Sequence, residues 1–441
     1  MNEFAPDTSS KVREVLSKHI LVDGYDFIMD FEKSKGSWIH DKSTGKDYLD
    51  MFSMFASGSI GYNHPHLVAQ SEWLGKMAIN KPTLADVYSE EYAHFMEVFE
   101  RVVVPKELQY AFFISGGTLA VENAMKACFD WKTRRNFANG IDQEAGVCIH
   151  FKQAFHGRSG YTLSLTNTAD PRKYQYFPKF DWPRIINPKL SFPITNENLE
   201  ETIKTEQLAL IQIQEAIITH ENKVACIIIE PIQAEGGDNH FRQEFMIELR
   251  NLCDANEILL IFDEVQTGIG MTGKMFAYQH FGIIPDIIAF GKKTQVCGVL
   301  ANKEKFDQVP QNVFKESSRI NSTFGGNFID MLRLQLVLEV IESENLVENS
   351  KVLGEYLLEK LQSLEIEFGD YISNARGKGL MCAIDFSSAE LRDRIQKEMY
   401  KNGVIILGCG TQSLRFRPQL NVSRDEIDTA LDTLRKIIIQ L

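Results

Sequence analysis

The 441-residue sequence contains no apolar run of the ~18 residues that a membrane-spanning helix needs. Its seven cysteines include no C-x-x-C pair. Its ten histidines show no metal spacing, since His64 and His66 stand two apart with no third ligand nearby. The cysteines therefore read as buried, reduced thiols of a cytoplasmic protein. There is no surplus of positive charge: 47 Lys and Arg face 60 Asp and Glu, a net charge of −13. Such a chain repels phosphate backbones, which argues against nucleic acid as a partner. Repeats and low-complexity linkers are missing too. The opening MNEFAPDTSSKVREVL has no basic start followed by an apolar core, so no secretory signal is expected.

What is present is an ordinary globular composition, 44% apolar and 24% charged, in a chain long enough for two or three domains. Apolar runs at Tyr110–Ile114, Val147–Phe151, Val224–Ile229, Leu259–Phe262 and Ile287–Phe290 alternate with longer helical patterns. Continuous apolar runs suit strands buried on both faces, and the alternation predicts an α/β fold with a mainly parallel sheet. Further on, helices are expected at Met331–Ile341, Ser350–Leu364 and Ser423–Leu441. Short strands are expected at Gly379–Phe386 and Gly403–Leu407. Ser423 and Glu426 have the spacing of a capping box. The expected organisation is a large α/β domain over 76–330 and a smaller α+β domain over 331–441, joined by the N-terminal segment 1–75.

One stretch, IFDEVQTGIGMTGK from Ile261 to Lys274, fits two nucleotide templates poorly. Gly268, Gly273 and Lys274 have P-loop spacing, but Met275 stands where Ser or Thr should hold magnesium. Gly268, Gly270 and Gly273 have dinucleotide-fingerprint spacing, but Asp263 to Thr267 intervene between the strand and the first glycine.

Ligands of open parallel sheets bind at the carboxyl ends of the strands. The polar residues just after each apolar run are Ser115-Gly116-Gly117-Thr118, Phe155-His156-Gly157-Arg158, Glu230 to Glu235, Asp263 to Gln266, and Gly291-Lys292-Lys293. They supply what pyridoxal phosphate requires: a lysine, an acid to keep the pyridine nitrogen protonated, a phosphate cup and an aromatic. Read alone, Asp263 is a loop acid or helix cap, and Lys292 a surface lysine. Together, at the ends of two successive strands, they form a constellation.

Asp263-Glu264-Val265-Gln266-Thr267-Gly268, Thr272-Gly273-Lys274, Pro285-Asp286-Ile287-Ile288 and Gly291-Lys292 resemble the signature of the class III (omega) aminotransferases. The resemblance runs from about Gly61 to Pro418. It implies a fold-type I, pyridoxal 5′-phosphate-dependent homodimer with shared active sites. The glycine-rich stretch then becomes a bend between sheet strands. Phe155–Thr168, Glu230–Phe241, Phe290–Gly298 and Asn321–Asn327 point within the family to members acting on the terminal amine of L-lysine. Those members hand the amino group to 2-oxoglutarate in a ping-pong reaction, giving 2-aminoadipate 6-semialdehyde and L-glutamate. Ornithine, 4-aminobutyrate or a related amine is the alternative substrate. An inactive binding relative and a nucleotide-binding enzyme are more remote ones.

The family pattern assigns Lys292 the covalent link to the cofactor, with Lys293 as its rival. It sets Asp263 at the pyridine nitrogen, Gln266 near the phenolic oxygen and Phe155 on the ring. Gly117 and Thr118 bind the phosphate, with Thr323 reaching it from the partner subunit. Arg158, Glu235 and Arg415 control the substrate's carboxylates. Met271, Ala234 and Gln419 depart from the pattern, at an arginine, a glycine and a proline respectively.

Overall fold

The computed structural model describes residues 11–80 and 87–441. The first ten residues of the stretch read as lacking a secretory signal lie outside them. A seven-stranded sheet forms the centre, in the spatial order Tyr110–Ile114, Cys297–Ala301, Ile287–Phe290, Leu259–Asp263, Val224–Ile229, Val147–Phe151, Arg184–Ile185. Only Cys297–Ala301 runs antiparallel to its neighbours. The predicted mainly parallel α/β architecture is therefore present, and the five strands predicted for it all belong to this sheet.

Two strands escaped the pattern. Arg184–Ile185 is too short to show a period. Cys297–Ala301 follows its neighbour after a short connection holding the 3-10 turn Lys292–Thr294, too short for the crossover a parallel scheme needs. Strands Val224–Ile229, Leu259–Asp263 and Ile287–Phe290 are buried at every position, as continuous apolar runs require. The seven cysteines are all buried and none is in a disulfide.

A four-stranded antiparallel sheet, ordered Ile372–Lys378, Met381–Phe386, Ser413–Phe416, Leu407–Cys409, is built from the C-terminal part. In a third sheet Asp47–Asp50 pairs with Trp38–His40 on one side and, in parallel, with Val404–Ile405 on the other. The last helix, Arg424–Ile439, begins with the expected capping box of Ser423 and Glu426.

The glycine-rich stretch connects strands Leu259–Asp263 and Ile287–Phe290 and packs on the helix Leu346–Glu367. A Cβ on Gly273, where φ is +80°, would lie 2.8 Å from Lys351 Cβ. The chain then enters a short 3-10 turn, Ala277–His280, which lacks the long helix that a phosphate cradle uses. Glu264 holds this connection, accepting from the backbone N–H groups of Ala277 and Tyr278 at 3.0 and 2.7 Å.

The same helix approaches the turn at Gly379 so closely that a Cβ on Gly354 would lie 2.0 Å from the Gly379 carbonyl carbon. Backbone cannot yield as a flexible side chain does. Gly354→Ala should therefore destabilise the protein by at least about 2 kcal/mol. Gly75→Ala, in the helix Ser71–Ile79 with nothing within 4 Å, should be neutral or stabilising. Thermal unfolding of the two variants side by side checks this, and equal midpoints would contradict the close approach.

Candidate active site

Because Val147–Phe151, Val224–Ile229, Leu259–Asp263 and Ile287–Phe290 are parallel, their carboxyl ends share one rim. A cavity of about 470 Å³ opens there, a size suited to a small cofactor and substrate. Gly117, Thr118, Phe155, Asp263, Gln266 and Lys292 all line it, and so does Arg158. Thr323 is not among the walls and is exposed on its own chain.

One end of the cavity is suited to an anion. The strand Tyr110–Ile114 turns at Gly116, φ +99°, into the helix Gly117–Ala138. The first N–H groups of a helix have no partner within it, and the dipole there favours negative charge. The walls are close: a Cβ on Gly157, where φ is +134°, would fall 1.6 Å from Thr118 Oγ1. That hydroxyl accepts from the Arg158 backbone N–H at 3.1 Å and shares a 3.0 Å hydrogen bond with Thr162 Oγ1.

Asp263 ends its strand with its carboxylate fixed from two sides. Oδ1 accepts from the Val265 N–H at 3.1 Å, and Oδ2 lies 2.8 Å from His156 Nδ1. A carboxylate can only accept, so Nδ1 carries the proton of this contact. His156 Nε2 is buried without a partner. Glu230, also buried, ties two loops together: its oxygens accept from the N–H groups of Phe155 at 2.9 Å and Ala234 at 3.1 Å. Burial, reinforced by the charge of Asp263, pushes the Glu230 carboxyl well up.

The two adjacent lysines face different surroundings. Lys292 adopts φ +53° and donates from Nζ to the Phe55 carbonyl at 3.1 Å. Burial lowers its pKa, and repulsion from Arg415 adds to this; Glu235 and Asp263 oppose, and the amine is pushed down to about 8. Lys293 is buried, is not among the cavity walls, and donates to the carbonyls of Ala56 at 3.2 Å and Gln266 at 3.3 Å. Both amines thus hold a left-handed turn, Ser53 to Ala56, whose φ values run from 43° to 65°. Four such residues in a row are strained, and the surroundings must impose them. Asp50 contributes, accepting from the N–H groups of Phe52 at 3.0 Å and Ser53 at 2.7 Å.

On the strand Ser413–Phe416, Arg415 is buried and donates from one terminal nitrogen to Glu235 Oε2 at 2.9 Å. Its Nε and other terminal nitrogen have no partner. Glu235 Oε1 is held by Lys173. Burial pushes the Glu235 carboxyl up, but Arg415 and Lys173 together outweigh it and hold it below its ordinary value. The Arg158 guanidinium lies over the Phe155 ring, 5.8 Å from its centre.

The sequence reading did not single out His156, Glu230 or Lys173. The first two carried a signal, since both stand among the residues that follow a strand end. Lys173 carried none: it closes a 3-10 turn, Pro171–Lys173, inside an irregular stretch.

Residues 21–438 match the aminotransferase class-III family. The L-lysine-epsilon aminotransferase of Mycobacterium tuberculosis is 48% identical over 437 residues, covering 98% of this chain and 96% of the relative. That of Streptomyces clavuligerus is 45% identical, covering 96% and 93%. A solved lysine aminotransferase from M. tuberculosis, in its internal aldimine form, superimposes with a TM-score of 0.95 at 47% identity, covering 98% of this chain and all of the other. Similarity at this level over nearly the whole length decides the matter: the chain belongs to the class-III aminotransferases.

Proposed function

We propose that the protein moves the terminal amino group of L-lysine to 2-oxoglutarate, giving 2-aminoadipate 6-semialdehyde and L-glutamate with pyridoxal 5′-phosphate as cofactor. The single observation that carries the reading is the meeting of Asp263, Lys292 and the N-terminus of the helix Gly117–Ala138 around one cavity. The lysine-specific relatives support the choice of amine.

The donor set fits the cofactor. The N–H groups at Gly117 and Thr118 suit its phosphate, Phe155 the face of its ring, and Gln266 its phenolic oxygen. Asp263 suits the pyridine nitrogen, since a carboxylate fixed by Val265 and His156 stabilises a protonated ring nitrogen. When bound, the cofactor supplies an electron sink for the charge left on the substrate carbon and carries the amino group between the two half-reactions.

The chain's own residues supply proton transfer and selection. Lys292, pushed down to about 8, is partly neutral near physiological pH and can take the proton from the terminal carbon of lysine. It can return that proton at the cofactor end, which makes it base and acid in turn. Arg158 and Arg415 are suited to carboxylates, because guanidinium binds them in a two-pronged way. Lysine needs no carboxylate partner beside its reacting carbon, whereas glutamate does. The Glu235–Arg415 pair answers this by masking Arg415 for lysine and releasing it for glutamate. The working form proposed is a cytoplasmic homodimer in which Thr323 reaches the partner's phosphate site. The exposed rings of Tyr176, Phe177 and Phe55 offer surface for that association.

Three outcomes test the reading. Lys292→Ala should lose at least about a thousandfold in turnover and fail to hold the cofactor covalently. Covalent retention in that variant, and its loss in Lys293→Ala, would move the assignment to Lys293. Glu235→Ala should handle lysine worse than glutamate in separate half-reactions, and equal losses would sink the masking role. Finally, covalent capture of cofactor by the apoprotein should rise with pH through a midpoint of about 8 and level off once Lys292 is fully neutral. An amine with an ordinary pKa would still be rising at about pH 10.

A further inference from the structure

Glu235 is shared between two cations that come from different parts of the chain. Arg415 reaches it from the strand Ser413–Phe416. Lys173 reaches it from the 3-10 turn Pro171–Lys173, whose start is fixed by the Asp170 side chain accepting from the Arg172 N–H. Each cation takes a different oxygen, so neither excludes the other. Lys173 also lies over the Phe155 ring, 5.8 Å from its centre, the ring that Arg158 lies over too.

Arg415 keeps two buried nitrogens without partners, a cation with donors to spare for an incoming carboxylate. If it turns to that carboxylate, Glu235 loses one of its two counter-charges. A largely buried carboxylate left alone is strongly destabilising, more than the original pair was stabilising. The second cation removes that difficulty. Resting on the reading of Arg415 as a carboxylate receptor, we propose that Lys173 is a specificity-determining residue of this site. It keeps the Glu235 carboxylate paired when Arg415 leaves it, and so makes the dicarboxylate-bound arrangement accessible. The masked state has Glu235 bridging two cations, and the open state has Glu235 on Lys173 and Arg415 on substrate. Without Lys173 the masked state survives on Arg415 alone, and the open state strands a carboxylate. Loss of Lys173 should therefore fall on the dicarboxylate substrate more than on lysine.

The test uses glutarate, an unreactive five-carbon dicarboxylate, titrated calorimetrically into holoenzyme. Lys173→Met and Lys173→Gln should each weaken glutarate about tenfold, and Lys173→Arg should restore it. The loss for lysine, read from its half-reaction, should be several-fold smaller. In a Glu235→Ala background, Lys173→Met should change the glutarate Kd by less than about twofold, since no carboxylate remains to be held. The same tenfold loss in that background would overturn the proposal, because Lys173 would then be touching the dicarboxylate itself. An unchanged Kd in the otherwise wild-type protein would overturn it as well. Should Arg415→Gln bind glutarate as tightly as wild type, Arg415 is no carboxylate receptor, and the role of Lys173 falls with it. A flat Lys173 series beside a sensitive Arg415 variant refutes the Lys173 proposal alone.

Discussion

A primary amine in water holds its proton until about pH 10, and an amine that must accept a proton from carbon near neutral pH has to be moved away from that value. Here removal from water does most of the work, and the charge of Arg415 adds to it. The same removal would be ruinous for the anions nearby unless each had a partner. The surroundings are accordingly dense with pairings: Asp263 on His156 and Val265, Glu235 on two cations. The strained turn at Ser53 to Ala56 belongs to the same requirement, since its carbonyls receive both lysine amines.

The parallel sheet makes this density possible. Four neighbouring strands deliver their next residues to one rim, and their side chains are buried on both faces, so the rim is rigid. The helix after Gly116 adds an end suited to an anion without using a charged side chain. Arg415, the proposed carboxylate receptor, stands outside this sheet, on the antiparallel one. On the proposed function, chemistry and substrate choice are carried by different layers, joined through Glu235.

The strands and their rim were legible in the sequence because burial on both faces leaves continuous apolar runs, and a polar residue ending such a run is conspicuous. Asp263 and Lys292 stood out on that account. The antiparallel strand Cys297–Ala301 and the short Arg184–Ile185 did not, since neither has the length or spacing that a crossover pattern displays. The pairing of His156 with Asp263 joins residues far apart in the chain, and no local pattern encodes it. Lys173 was invisible for a further reason: irregular backbone carries no period, and most lysines are solvated. The glycines at 268, 270 and 273 have the spacing of nucleotide templates whose other requirements the sequence does not meet. Gly270 and Gly273 serve close packing on the helix Leu346–Glu367, whereas Gly268 lies against the Glu264 carbonyl and the Phe276 ring.

Purified holoenzyme with 2-oxoglutarate should be offered lysine, ornithine and 4-aminobutyrate separately at equal concentration, and the glutamate formed measured. Lysine should lead clearly. The shorter amines should trail by about ten- to two-hundredfold, which is what missing methylenes are worth in a fitted pocket. If ornithine or 4-aminobutyrate leads instead, the account of the substrate is wrong even though the site chemistry stands. If no amine yields glutamate, the account of Asp263 and Lys292 as a working pair is wrong as well.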